Sequence, residues 1–219
     1  MIYTIFYHAL FNLSMLYEPC QELLFSVPIT ILRDVVAATF IFISGISCYL
    51  TRSNFKRGVK ALVAALLVTL ATYVAMPEMT ILFGILHFFA FAMLLFSAIK
   101  PLFEKIPSFV GLPVFALLYI LTIQLYELEL GTPDNFLMFI LGFKTSILSG
   151  DYYPIMPHIF MFFIGCFAGR LFKERKAPVI FEKNLIPPLA VIGRHTMIIY
   201  LAHQPILFGG LIIFAYFIG

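Results

Sequence analysis

The sequence predicts an all-α membrane protein: a polytopic bundle of about seven transmembrane helices plus one short re-entrant or interfacial segment, oriented N-in/C-out. Three observations carry that prediction. The 219 residues are 62% hydrophobic and 11% charged, with a mean hydropathy of +1.03, and a globule in water needs a larger charged shell. Apolar stretches of about 18 residues or more follow one another with only short loops between them. The basic residues gather on alternate loops. A single membrane domain spanning residues 1–219 is the expected organisation.

In chain order, helices are expected at 1–17, 28–50, 60–77, 79–98, 108–127, 155–173 and 187–218. An open sheet in lipid would leave backbone groups unpaired, so helices are the default. The first segment is apolar from Met1, with no basic stretch before it and no small-residue cleavage site after it; it reads as a retained helix rather than a signal peptide. The run NFLMFILGFKTSIL, residues 135–148, is too short to cross and forms the interfacial or re-entrant piece. Gly193 near the start of the last helix and Pro205 within it predict a break or kink. Gly165 and Gly169 make a GxxxG pair, and Ser44, Gly45 and Ser47 give the second helix a small face. Both suit close helix packing, inside the bundle or between the copies of a homodimer.

Orientation follows from the loops. With the N-terminus inside, the inner side holds Arg52, Lys56, Arg57, Lys60, Lys100, Lys105, Arg170, Lys173, Arg175, Lys176, Lys183 and Arg194, twelve of the 14 basic residues. Only Arg33 and Lys144 fall outside, as the insertion rule for positive charge demands. Glu18, Glu22, Asp34, Glu78, Glu127, Glu129, Asp134 and Asp151 face out. The net charge of +3 is weak and dispersed, so nucleic acid is not an expected partner, whereas membrane lipid is. Cys20, Cys48 and Cys166 show no CxxC spacing, and the last two lie in apolar segments as small hydrophobes.

Polar groups inside the expected spans are the informative ones, because each costs free energy unless paired or useful. Three are histidines: His8, His87 and His203. His8 and Asn12 are four apart and share a helix face, as do Tyr200 and His203 at a spacing of three. Interhelical hydrogen bonding explains any one of them equally well. It explains three together less well. A histidine kept neutral in a low-dielectric bundle can accept a proton as a general base, with a nearby amide such as Asn12 orienting it or supporting an oxyanion. No HExxH, paired-cysteine or carboxylate–histidine spacing points to a metal, and none is expected.

Two loops offer further candidates. Outside, LSGDYYPIMPHIF places Asp151, Tyr152, Tyr153 and His158 between apolar runs, either as an interfacial aromatic belt or as an acceptor site at the outer mouth. Inside, TRSNFKRGVK clusters Arg52, Lys56, Arg57 and Lys60. Positive-inside charge accounts for this loop entirely, and the competing reading is a seat for a phosphorylated ligand.

The strings FYHALFNL, FIFISGISCYLTRS followed by KRGVKAL, FGILHFFAFAMLL, DYYPIMPHIFMFFIGCFAGRLF and IGRHTMIIYLAHQPIL occur in this order. Together they resemble bacterial members of the heparan-α-glucosaminide N-acetyltransferase catalytic-domain family, within the transmembrane acyltransferase superfamily, from Met1 to about Leu207. The resemblance implies transfer of an acetyl or other acyl group from cytoplasmic acyl-CoA to a hydroxyl or amine of a sugar or cell-envelope acceptor at the outer face of a bacterial inner membrane. It implies His8 as the family's first-helix histidine and general base, with Asn12, His87 and His203 as further catalytic candidates. Asp151, Tyr152, Tyr200 and Gln204 are then candidates for the acceptor, and Arg52, Arg57, Lys60 and Arg194 for acyl-CoA. Gly45, Gly58 and Gly193 match family glycines.

The chain departs from the pattern at three places. Related chains carry aspartate where Asn12 stands and tryptophan where His158 stands. They also open on a short cytoplasmic stretch ending in Arg-Gly, whereas Met1 here falls within the first helix, so the N-terminus reads as truncated relative to the family. Two rivals to the enzyme are a small proton-linked transporter, which also uses buried histidines and broken helices, and a non-catalytic membrane protein derived from the family. The two halves show no clear internal repeat, which counts against transport.

Overall fold

The computed structural model describes residues 2–14, 17–124, 133–174, 191, 193 and 195–218. These residues are helical, with no strand among them; one isolated parallel bridge joins Phe83 and Tyr152. The helices are α1 (Ile2–Ser14), α2 (Glu18–Leu24), α3 (Val27–Leu50), α4 (Asn54–Ala75), α5 (Ile85–Phe103), α6 (Ser108–Thr122), α7 (Phe136–Leu141), α8 (His158–Glu174) and α9 (Thr196–Ile218). Each of the seven expected segments therefore contains a helix. Among the described residues, α3, α4 and α5 are the three that are both long and apolar enough to cross a membrane.

Two compact units divide the chain, one formed by 1–37 with 177–219 and the other by 38–176. In the larger unit the core is aromatic. Phe88, Phe96, Phe162 and Phe167 are fully enclosed, and Phe103 stacks on Phe167 with ring centroids 4.1 Å apart. The glycines set the closest approaches. A Cβ on Gly45 would lie 2.1 Å from the Phe162 carbonyl oxygen, and one on Gly165 would lie 2.1 Å from that of Phe42. The GxxxG pair thus packs within the chain, backbone against backbone, between α3 and α8. On α4 the pattern of a soluble helix is inverted: Ala61, Ala64 and Ala65 are buried, while Leu66, Leu70 and Val74 are exposed. Small residues inward and large apolar ones outward is how a helix packs when its solvent is lipid.

Several boundaries differ from the sequence expectation. α4 begins at Asn54 rather than residue 60, because the Asn54 side chain donates from Nδ2 to the carbonyls of Cys48 (2.6 Å) and Thr51 (3.4 Å). That bond ties the end of α3 to the start of α4. Lys56, Arg57 and Lys60 consequently stand on the first turns of a helix and not in a loop. α5 begins at Ile85 rather than 79, since Pro77–Met79 forms a 3-10 turn and residues 80–84 run beside 149–153. The segment 149–153 reaches this place through Gly150 N–H to Thr80 O (3.3 Å) and Tyr153 N–H to Phe83 O (3.0 Å). The short piece within 135–148 is α7, six residues long, capped by Asn135 Oδ1 and closed by Gly142 in the left-handed region (φ 108°). α2 was not expected at all; EPCQELL is too brief to show a period.

In the smaller unit, α1 lies against α2 and α9, and Tyr3 donates its hydroxyl to the Ile29 carbonyl (3.2 Å). α9 runs through Pro205 without the expected break. The start of the expected last helix, 187–190, lies outside the described residues.

Candidate functional site

Within the smaller unit, α1 and α9 bring together five of the residues singled out from sequence. The rings of His8 and His203 stand 5.0 Å apart, centroid to centroid. Gln204 Nε2 donates to Asn12 Oδ1 at 3.2 Å, across 192 residues of chain. His203 Nδ1 is bonded to the Tyr200 carbonyl oxygen, and the Tyr200 ring lies 5.2 Å from the imidazole. A carbonyl only accepts, so Nδ1 carries the proton and Nε2 presents a lone pair. Asn12 is 2% exposed and His203 is 7% exposed.

What sets this cluster apart is that it is incomplete. Among the described residues, the buried Asn12 Nδ2, His203 Nε2 and Gln204 Oε1 have no hydrogen-bond partner. Turning both amides over would exchange the atoms but leave the same inventory, one donor and two acceptors. Buried polar groups are normally paired, so three unpaired ones at one place make this the candidate site.

The larger unit holds the other named histidine, in a different condition. His87 stands in the first turn of α5 and not at mid-span. Its Nδ1 accepts the Gly84 N–H (3.3 Å), which fixes the proton on Nε2, and Nε2 lies 3.1 Å from Thr69 Oγ1. Thr69 in turn donates to the Ile81 carbonyl (2.7 Å). Both ring nitrogens are engaged in holding the turn before α5. Asp151 serves the same turn: its Oδ2 accepts the Ile85 N–H at 3.1 Å, and a Cβ on Gly84 would meet that oxygen at 2.5 Å. Burial pushes the Asp151 carboxyl up to about 6, against the lowering effect of the Ile85 and Tyr152 backbone N–H groups. Tyr152 donates its hydroxyl to the Phe139 carbonyl and stacks on the Phe139 ring at 4.5 Å. His158 Nδ1 bonds the Pro154 carbonyl oxygen (2.9 Å).

Among the cationic candidates, Arg52 and Lys60 are exposed, and Arg57 is half-buried, donating to Thr51 Oγ1 at 3.2 Å. Arg194 lies outside the described residues. Sequence reasoning missed a further pair: Lys100 Nζ and Lys173 Nζ lie 5.6 and 5.8 Å from the centroid of the Tyr49 ring, a cation–π arrangement at the ends of α3, α5 and α8. The signal was a tyrosine one residue from the end of a span, with lysines closing two others. Among the described residues, no group of three or more His, Cys, Asp or Glu side chains could hold a metal ion.

Residues 1–205 of the chain match the protein family described as heparan-alpha-glucosaminide N-acetyltransferase, catalytic. No curated protein and no solved structure gives a significant match.

Proposed function

The chain belongs to the heparan-α-glucosaminide N-acetyltransferase catalytic family, and on that premise we propose that it is a transmembrane acyltransferase. It takes an acetyl or other acyl group from cytoplasmic acyl-CoA and delivers it to a hydroxyl or amine of a sugar or cell-envelope acceptor at the outer face. The topology that goes with this reading is seven spans, N-in/C-out, in a bacterial cytoplasmic membrane. The observation that carries the proposal is the incomplete polar cluster of α1 and α9, with two imidazole rings 5.0 Å apart.

The chemistry is direct. The acceptor oxygen or nitrogen attacks the thioester carbonyl carbon, the new C–O or C–N bond forms, and the C–S bond breaks. The acceptor's proton passes to the His8–His203 pair, His8 acting as base, and from there to the departing thiolate, giving free CoA. Asn12 Nδ2 is the donor available to an acceptor oxygen or an oxyanion. His87, with both nitrogens engaged, is a positioning residue for the turn before α5. For the donor, Arg52, Arg57, Lys60 and Arg194, joined by Lys100 and Lys173, supply cations for the CoA phosphates.

The test is thermal stability of the purified protein with and without acetyl-CoA, with dephospho-CoA as control. A ligand that binds only the folded state raises apparent stability by mass action. A saturable shift, weaker with dephospho-CoA and in an Arg57→Gln/Lys60→Gln variant, is expected. No shift at any concentration removes acyl-CoA and leaves proton-linked transport, a reading favoured by the His8 and His203 rings 5.0 Å apart. Substrate flux in sealed vesicles without an acyl donor separates the two.

A further inference from the structure

Beside the polar cluster runs a groove between α1 and α9, about 310 Å³ in volume. That is about twice the size of an engineered apolar cavity that takes up one benzene ring. Its walls are Leu13, Leu207, Leu211 and Phe214 with Ala9 and Ile206, its floor opens at Gly210, and Asn12 is the one polar side chain among its lining residues. The same Asn12 is 2% exposed and carries the unpaired Nδ2.

We propose that this groove holds the acceptor, and that the acceptor is an amphiphile: an alkyl chain along the apolar walls, with a hydroxyl-bearing head in the Asn12–His203–Gln204 cluster. This deepens the acyl-transfer reading and rests on it for the word acceptor. The apolar walls admit an alkyl chain at little gain over the surrounding lipid, so selection falls to the head. The cluster selects the head. One donor and two acceptors are unpaired there, so a hydroxyl meets the donor and one acceptor: its oxygen accepts from Asn12 Nδ2 and its O–H donates to His203 Nε2 or Gln204 Oε1. A thioester carbonyl, or the ester of a bulk lipid, only accepts and leaves both acceptors unmet. The hydroxyl is also the nucleophile, and the cluster holds it beside the His8–His203 pair that takes its proton.

The experiment uses the full chain in lipid nanodiscs and a twelve-carbon primary alkanol with a photoreactive diazirine along its chain. The same chain without the hydroxyl is the comparison. Labelling of α1 and α9 peptides is expected from the alkanol and to be lower with the alkane by about tenfold, the factor that goes with an unmet buried hydrogen-bonding group. A Cβ on Gly210 or Gly209 meets nothing within 4 Å, so both accept a side chain, but only Gly210 lines the groove. G210L is expected to abolish labelling and G209L to retain it. N12L removes the one unpaired donor and the one polar side chain of the lining, and is expected to bring the alkanol down to the alkane level, which keeps the test decisive if G210L does not fold.

Equal labelling by alkanol and alkane overturns the proposal, as does full alkanol labelling of G210L or N12L. Labelling is measured without CoA. Head-independent labelling in a protein that still shows the acetyl-CoA shift removes this site alone. Head-dependent labelling in a protein without that shift keeps the site and removes the acyl donor.

Discussion

His87 and His203 are both imidazoles on apolar helices, and their surroundings treat them in opposite ways. His87 has Gly84 on one nitrogen and Thr69 on the other, with the threonine hydroxyl passing on to Ile81. His203 has Tyr200 on one nitrogen and nothing on the other, beside two amide atoms in the same state. A closed network holds a shape, because every member loses a partner if the shape changes. An open one leaves hydrogen-bonding capacity unused. Burial alone does not separate structural from reactive histidines; the inventory of unused donors and acceptors does.

The largest effect that would break this comparison is on turnover. His8→Ala is expected to lower the acyl-transfer rate about a hundred- to ten-thousand-fold, the usual worth of a positioned base, with little change in melting temperature. His87→Ala should do the reverse, lowering the melting temperature while the folded fraction keeps most of its rate. Rates normalised to folded protein for both variants are the measurement, and matched losses of rate would erase the distinction.

Next in size is Thr69→Val. It removes the partner of the His87 Nε2–H without changing shape much, leaving a buried donor unmet at a cost of about 1–3 kcal/mol. Chemical or thermal unfolding in a fixed detergent reads this. An unchanged midpoint would show that the closed network contributes nothing to stability.

Smaller again is the effect of acid on Asp151. Its carboxyl sits near 6 in the folded protein against an ordinary value of 3.8, so the folded state holds the proton more tightly than the unfolded one. Its contribution is therefore most favourable below the ordinary value, declines as pH rises from about 4 to about 6, and is flat above. Asp151→Asn keeps an oxygen for the Ile85 N–H and removes the titration, so the melting temperature of the variant relative to the native protein should rise across that window. Asp151→Ala lacks the oxygen and should melt lower than Asp151→Asn at every pH. A difference between native and Asn forms that is constant with pH would show that this carboxyl does not titrate there.

The smallest expected effect is Arg57→Gln, which gives up the Thr51 contact and should change stability by about 0.5–1 kcal/mol, while weakening the acetyl-CoA shift.

Much of the fold was legible because lipid imposes simple rules. The second span was expected at 28–50 and runs Val27–Leu50, since an apolar run ending in polar residues at both sides leaves little choice. Gly45, Gly165 and Gly169 could be read as a packing face from their size and spacing alone. What the sequence hid depends on partners far along the chain. The start of α5 is set by Asp151, 66 residues away, and no local period reports that. The basic turn of α4 looked like a loop because charge was weighed and the reach of Asn54 was not. For the site, spacing put His8 with Asn12 and Tyr200 with His203, but only the family resemblance put Gln204 beside them; the bond that joins the two pairs crosses 192 residues. Lys100 and Lys173 were read as topology signals, and their convergence on Tyr49 needed three helix ends at once.

The Asn54 side chain has a consequence for how the protein is made. By donating to Cys48 and Thr51, it supplies part of what the last carbonyls of α3 lose when the chain turns. Those bonds close within a dozen residues of ribosome-emergent chain and require no later helix. The connection between α3 and α4 thus has its bend satisfied by its own residues, at the point where two apolar helices would otherwise bring unpaired carbonyls to the edge of the lipid.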